Sequence, residues 1–287
     1  MRITNNLNLP QSFVEMASRD YTQDSKRYSV TALLKGIREA ILEKRHADEI
    51  EQDVSEMIWL LLGKAAHSVI ENQQEQGHEL KETKLTAEFG EYTLSGVFDL
   101  YNDKEKKITD YKTCSAWKVI FGDYSDWRMQ LLIYAWMMKS IGFDVKTGEI
   151  VAIMKDHSKR DAKYKADYPK QPVKVIRFNF NENDYIFIEK WLMVKFDEIR
   201  NLEKIPDDEL PLCTLEERYN SGDKFAVMKK GKKRAERVLD TREEAEQWMK
   251  GNGGDYIDTR LGEDKKCLEY CSACNFCSHY RKLTQTV

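Results

Sequence analysis

The stretch from residue 84 to residue 140 constrains the fold more than any other. Residues 84–89, 92–101 and 106–113 read as three strands in succession, the last two joined across the polar turn Asn102-Asp103-Lys104-Glu105. A strongly apolar helix over 127–140 follows. Two amphipathic helices, 28–45 and 51–75, precede this block; in the second, Met57, Leu60, Leu61, Ala65 and Val69 recur at helical spacing. Strands at 149–155 and 174–180 and a long helix at 183–201 come after it. Helix, three strands, helix, strand, with one more strand and helix, defines an α/β chain.

The character changes after Pro206. The segment Pro206-Asp207-Asp208-Glu209-Leu210-Pro211 reads as a linker. A hairpin over 224–240 turning at Gly231, a helix at 242–250 and a strand near 255–260 follow. Thr241 with Glu244 fits a capping box, and Gly251-Asn252-Gly253-Gly254 ends that helix. The expected division is a core domain, 1–205, and a small C-terminal α+β subdomain, 206–287.

With 41% hydrophobic and 33% charged residues, the 287-residue chain can bury a core, which excludes global disorder. No apolar run reaches bilayer-spanning length, and Met1-Arg2-Ile3-Thr4-Asn5-Asn6 lacks the apolar stretch of a signal peptide, so a cytoplasmic location and no membrane partner are expected. A net charge of −3 excludes a DNA coat that works by global basicity. Local positive patches remain: Lys229-Lys230-Gly231-Lys232-Lys233-Arg234, and the loop 155–174 with Lys159, Arg160, Lys163, Lys165 and Lys170. Either can equally be an ordinary solvated loop.

Asp99 and Asp110-Tyr111-Lys112 fall on the second and third strands of the meander. Side chains alternate along a strand, so Asp110 and Lys112 share a face and Tyr111 takes the other. A hairpin of suitable register sets Asp99 across from Asp110. Two such carboxylates supply the oxygen ligands that Mg²⁺ or Mn²⁺ prefers. An ion held there polarises a phosphoryl oxygen and acidifies water, with Lys112 placed to orient that water and to face the developing negative charge. His67, in Gly63-Lys64-Ala65-Ala66-His67, shares a helix face with Glu71 and can be a further ligand or a phosphate contact. Gln130 and Tyr134 share a face of the apolar helix that follows, where they can position DNA or simply form the polar edge of a core helix. Asp-x-Lys alone is more often a solvated strand face; the four features in this order point to metal-dependent phosphodiester cleavage.

Six cysteines are present: Cys114, Cys213, Cys267, Cys271, Cys274 and Cys277. The density of the last four argues for a metal in a cytoplasmic chain, zinc or an iron–sulfur cluster. The tail can supply four ligands, or three together with Cys213, and His279 can serve a zinc. In each case the metal staples the C-terminal residues to the subdomain.

Through Gly63-x3-His67, Gly96-x2-Asp99, Asp110-Tyr111-Lys112 and Gln130-x3-Tyr134 the chain resembles the PD-(D/E)XK nuclease superfamily, in particular its RecB-type branch, which includes CRISPR-associated exonucleases and phage-encoded relatives. The resemblance implies a restriction-endonuclease-like mixed β-sheet flanked by helices, with a metal-stapled C-terminal subdomain. It implies that Asp99, Asp110 and the Tyr111 carbonyl bind Mg²⁺ or Mn²⁺, with His67 as a manganese-favouring ligand. Lys112 would be catalytic, and Gln130 and Tyr134 would hold DNA or the catalytic lysine. It further implies a 4Fe–4S cluster on Cys213, Cys267, Cys271 and Cys277, with Cys274 as a substitute; Zn²⁺ is the alternative. Two departures leave every ligand in place: Phe98 stands where the superfamily has proline, and the third motif carries Asp110 rather than glutamate. A larger one is the stretch inserted between Cys213 and Cys267, and the first cluster cysteine follows the core, as in phage-encoded relatives of this type.

The expectation is a metal-dependent deoxyribonuclease, an exonuclease acting on DNA ends or single strands in recombination, repair or phage DNA metabolism, with a recombination or replication protein as a partner. In a phage-encoded chain the location is the host cytoplasm. The rival readings are a non-catalytic DNA-binding module on the same fold and an interaction protein stapled by zinc.

Overall fold

A computed structural model describes residues 2–17, 24–71 and 77–285, with the backbone alone at 67 and 69–71. The chain divides into two compact units, Met1–Ile205 and Pro206–Val287. The first unit contains, in chain order, β1 (Arg2–Thr4), α1 (Gln11–Ala17), β2 (Arg27–Ser29), α2 (Val30–Leu33), α3 (Ile37–Arg45), β3 (Glu51–Asp53), α4 (Ile58–Glu71), β4 (Glu79–Phe89), β5 (Tyr92–Asn102) and β6 (Lys107–Cys114). It continues with α5 (Ala116–Phe121), α6 (Ser125–Ser140), β7 (Thr147–Met154), α7 (Lys159–Tyr164), β8 (Val173–Asn179) and α8 (Glu182–Leu202). The second unit contains β9 (Lys224–Met228), β10 (Arg237–Leu239), α9 (Arg242–Asn252), β11 (Tyr256–Arg260), α10 (Lys265–Glu269) and α11 (Ser278–Gln285).

Six strands form one mixed sheet in the order β2-β5-β6-β7-β8, with β4 along the other side of β5. β4, β5 and β6 are the antiparallel meander, whereas β6 and β7 run parallel through the α5–α6 crossover. Ile108, Asp110, Lys112 and Cys114 share one face of β6. α6 covers that face, since Gln130 reaches Asp110 from it. Leu131, Leu132, Ile133 and Ala135 of α6 are wholly buried there. Thr113 has the opposite parity, and its hydroxyl lies 3.6 Å from where a Cβ at Gly63 would stand, so α4 lies on the other face. This is a restriction-endonuclease-like mixed sheet flanked by helices.

The two N-terminal helices differ from the expectation. Residues 28–45 are not one helix: Arg27–Ser29 pair in parallel with Thr93–Ser95 of β5 and bury Tyr28. Ser29 then caps α2 by accepting from the Ala32 N–H at 3.1 Å, and Gly36 restarts the helix as α3. Residues 51–75 likewise begin as β3, paired in parallel with β1. Asp53 caps a 3-10 turn at Val54–Met57 before α4 begins. In both places a polar cap and a strand-pairing edge outweigh the helical periodicity.

In the second unit β9 lies between β10 and β11, both antiparallel to it. The Thr241–Glu244 capping box forms as expected, and α9 ends at Gly253 with φ +85°. Among the described residues no helix is long and apolar enough to cross a membrane.

Candidate active site

The site lies where two ladders come apart. On one edge β5 pairs with β2 only as far as Ser95, and with β6 only from Leu100 onward. Gly96 to Asp99 fall between the ends of those two ladders. β6 pairs with β5 up to Thr109 but with β7 through Cys114, so Asp110 to Lys112 form the other arm of a fork. Leu100 opposes Thr109, and one further step of that register sets Asp99 opposite Asp110. Opposed residues of an antiparallel pair point to the same face. The Tyr111 N–H donates to Asp99 Oδ2 at 2.7 Å. Asp99 and Asp110 therefore share one face of the fork.

Asp110 is 3% exposed. Lys112 brings Nζ to 3.1 Å from its Oδ1 and 2.8 Å from its Oδ2, and Gln130 Nε2 donates to Oδ1 at 3.1 Å. A buried carboxylate needs positive charge and donors to stay ionised, and these supply both. The Lys112 ammonium lies against both oxygens of Asp110, and Asp99 adds a second, partly exposed carboxylate. Gln130 and Tyr134, expected to position DNA, turn inward and are only 7% and 3% exposed. Gln130 grips the carboxylate instead of meeting a strand in solvent, because its helix face packs on the sheet.

Tyr134 depends on the glycine of the second motif. A Cβ at Gly96 would stand 2.5 Å from Tyr134 Cε1 and 2.9 Å from Val30 Cγ2. Burial, then the negative charge of Asp110, push the Tyr134 hydroxyl well above the ordinary tyrosine range; a hydrogen bond with Gln130 acts the other way, and the charges of Asp99 and Glu82 add to the rise. Sequence reasoning passed over Glu82. It sits at φ +40°, in the one gap between the Lys81–Leu100 and Thr83–Phe98 pairs, level with Asp99. Nothing in the residue string marks it; only the register brings it to the site. The His67 side chain, expected as a further ligand, lies outside the described residues.

The second unit gathers the cysteine tail. None of the six cysteines takes part in a disulfide. Burial pushes the Cys267 thiol up to about 11, and the charges of Asp264, Cys213 and Cys277 push the same way. Cys274 is also raised, by burial first and by Cys277 last. A bound cation would offset the penalty that burial sets on ionising Cys267 and Cys274. Asp264, Cys267 and His279 offer ligand atoms within 4.8 Å of one another. Asp264 is buried, which opposes its ionisation, but donors from Asn220, His279 and Arg218 hold its carboxyl below the usual range. Arg218 links this group to the first cysteine, donating from Nη1 to Asp264 at 2.5 Å and from Nε to the Cys213 carbonyl at 2.9 Å. The Asp264–His279 pair, 2.7 Å apart, carries no spacing signal that sequence alone would expose.

Fold and fork together define a class of nuclease. Residues 11–278 match the PD-(D/E)XK nuclease superfamily, and the chain belongs to it. Among solved structures, SSO0001 is similar at 17% identity, covering 64% of this chain and 82% of its own with a TM-score of 0.42. The alkaline exonuclease LHK-Exo from Laribacter hongkongensis is similar at 10% identity, over 64% of this chain and 95% of its own, with a TM-score of 0.39. A phage-related exonuclease from Haemophilus somnus is similar at 12% identity, over 66% and 76%, with a TM-score of 0.29. No curated protein matches the chain.

Proposed function

We propose that this chain is a Mg²⁺- or Mn²⁺-dependent deoxyribonuclease, acting as an exonuclease on DNA ends or single strands. The observation that carries the reading is the fork itself: Asp99 and Asp110 on one side of it, with Lys112 in contact with the buried carboxylate. Asp99, Asp110 and the Tyr111 carbonyl would hold the ion, with His67 as a further ligand. When bound, such an ion polarises the phosphoryl oxygen and makes water more acidic. Lys112 orients the attacking water and faces the charge that develops on phosphate. Gln130 fixes the Asp110 carboxylate, and Tyr134, held protonated, stays a neutral donor beside it. Water attacks in line and leaves a 5′-phosphate and a 3′-hydroxyl. The setting is recombination, repair or phage DNA metabolism, with a recombination or replication protein as partner.

In the C-terminal unit we assign Cys213, Cys267, Cys271 and Cys277 to a 4Fe–4S cluster, with Cys274 as substitute. The shared charge environment of Cys213, Cys267 and Cys277 supports it. The Asp264–Cys267–His279 group favours zinc as a second reading. Metal analysis decides: iron with sulfide supports the cluster, and stoichiometric zinc supports the alternative.

The test of activity is a digestion series on end-labelled linear, circular and single-stranded DNA with Mg²⁺ or Mn²⁺. Cleavage from ends, absent on circles, is expected. Both Asp110→Ala and Lys112→Ala should reduce it by at least about 10²-fold, as for loss of one transition-state donor. Undiminished cleavage in both variants would remove this site from the reaction.

A further inference from the structure

The carboxyl ends of β6 and β7 carry exposed aromatic rings that no part of the reading above uses. Trp59 on α4 is 57% exposed; Trp117 and Phe121 on α5 are 58% and 77% exposed. These are large apolar side chains that ordinarily seek burial. Trp117 and Phe121 stack on one another, with ring centroids 5.8 Å apart and planes at 27°. Lys155 sets its Nζ 3.7 Å above the Trp59 ring, a cation–π contact.

Backbone contacts fix Lys155 and the start of α5 at the carboxyl end of β6, just beyond the fork, and Trp59 reaches that end from the α4 face of the sheet through Lys155. The Lys155 N–H donates to the Cys114 carbonyl at 2.9 Å, where β6 ends two residues past Lys112, about 7 Å along the strand. The Ala116 N–H, at the start of α5, donates to Asp156 Oδ1 at 2.6 Å. Trp59 lies one helical turn before Gly63, the residue that faces Thr113. Beyond Lys155 the chain adds Lys159, Arg160 and Lys163, all exposed, before α7 ends at the exposed ring of Tyr164. Flat faces interleaved with positive charge, close to a phosphodiester site, match the needs of one ligand class. Unpaired nucleobases stack on aromatic faces while lysine and arginine follow the phosphates.

We infer that Trp59, Trp117 and Phe121, with Lys155, form a stacking platform for the unpaired bases of a DNA strand passing the Asp99–Asp110 fork, so that the substrate entering the site is a single strand or a frayed end. This rests on the nuclease reading for the strand's destination. A duplex presents no base faces along its length, so the platform selects for unpaired DNA. Sequence preference is not part of it, because every base has a flat face.

The test measures binding in EDTA, where no strand is cut. Two probes of equal length are used, a fluorescein-labelled 20-nucleotide oligo-dT and an abasic deoxyribose-phosphate strand. Trp117→Ala/Phe121→Ala and, independently, Trp59→Ala should weaken oligo-dT binding about 5- to 150-fold for each lost stack. Abasic-strand binding should change by about twofold or less, since the phosphate contacts stay. Trp117→Phe should retain most of the oligo-dT affinity, and oligo-dT should quench wild-type tryptophan fluorescence. Equal losses on both probes, or no loss on either, would overturn the platform. So would a dimer that dissociates in the double variant without any effect of oligo-dT, which would make the rings a contact between copies. A chain that never cuts DNA yet keeps the base-dependent difference would refute the nuclease reading and leave the platform standing.

Discussion

At Gly96 a single hydrogen atom leaves room for Tyr134. A methyl group there would come within 2.5 Å of the ring and 2.9 Å of Val30 Cγ2, and the Tyr134 ring is buried. Gly96→Ala should destabilise the first unit by about 1–3 kcal/mol, the range for an overpacked core, as measured by denaturant unfolding. Cleavage should fall with it, because Tyr134 cannot keep its place beside Gln130. Gln130→Leu probes the neighbouring contact. It keeps the volume but removes the Nε2 donor from buried Asp110 Oδ1, a cost of about 1–3 kcal/mol in the same assay. Unchanged stability in that variant would mean that Gln130 is only the polar edge of the helix. The parity of Asp110 and Lys112 was legible from spacing alone, because strand alternation is rigid. The inward turn of Gln130 and Tyr134 was not, because helix spacing gives a shared face without saying whether that face meets solvent.

Among elements, the fork between β5 and β6 does the positioning. The meander was readable from its polar turns and apolar runs. The point where its ladders separate was not, since it depends on β2 arriving from sixty-odd residues upstream to occupy the edge of β5. The same non-local pairing broke the expected helix at 28–45. β1 and β3 carry an element-scale pH signature. Asp53 accepts from Ser55 and Thr4 side chains and from the Asn6 N–H, and its carboxyl is lowered to about 2 from an ordinary 3.8, chiefly by the Ser55 hydroxyl. A depressed carboxyl contributes stability above its unfolded value and loses it as the pH falls through its folded one. The β1–β3 pair should therefore hold above about pH 4 and loosen progressively toward pH 2. Carboxyl NMR titration of Asp53 should show this midpoint, and Asp53→Asn should remove that part of the acid dependence. A midpoint near 3.8 would contradict the capping account.

At the scale of the whole molecule, the chain consists of two compact units, Met1–Ile205 and Pro206–Val287. The capping box and the glycine end of α9 were readable because caps are local. The contact of His279 with Asp264 was not, because fifteen residues separate them and only the tertiary fold closes the pair; Cys267 lies just past Asp264 in the chain, and His279 was already a zinc candidate. Loading the second unit has a proton signature. With Cys267 at about 11 in the metal-free chain, its thiol is protonated at neutral pH, and a thiolate-binding metal must displace that proton. Adding Zn²⁺ or reconstituting iron and sulfide at pH 7.5 should release protons, and a chelator should lower the melting transition of this unit. Binding without proton release would exclude Cys267 as a ligand.

The central claim is that Asp99 and Asp110 share one hard cation at the fork. Anomalous scattering from crystals soaked in Mn²⁺ tests it most directly. A single peak about 2.1 Å from an oxygen of each carboxylate and from the Tyr111 carbonyl is the predicted result. A fully soaked crystal with Mn²⁺ bound elsewhere and none between the two aspartates would contradict the account.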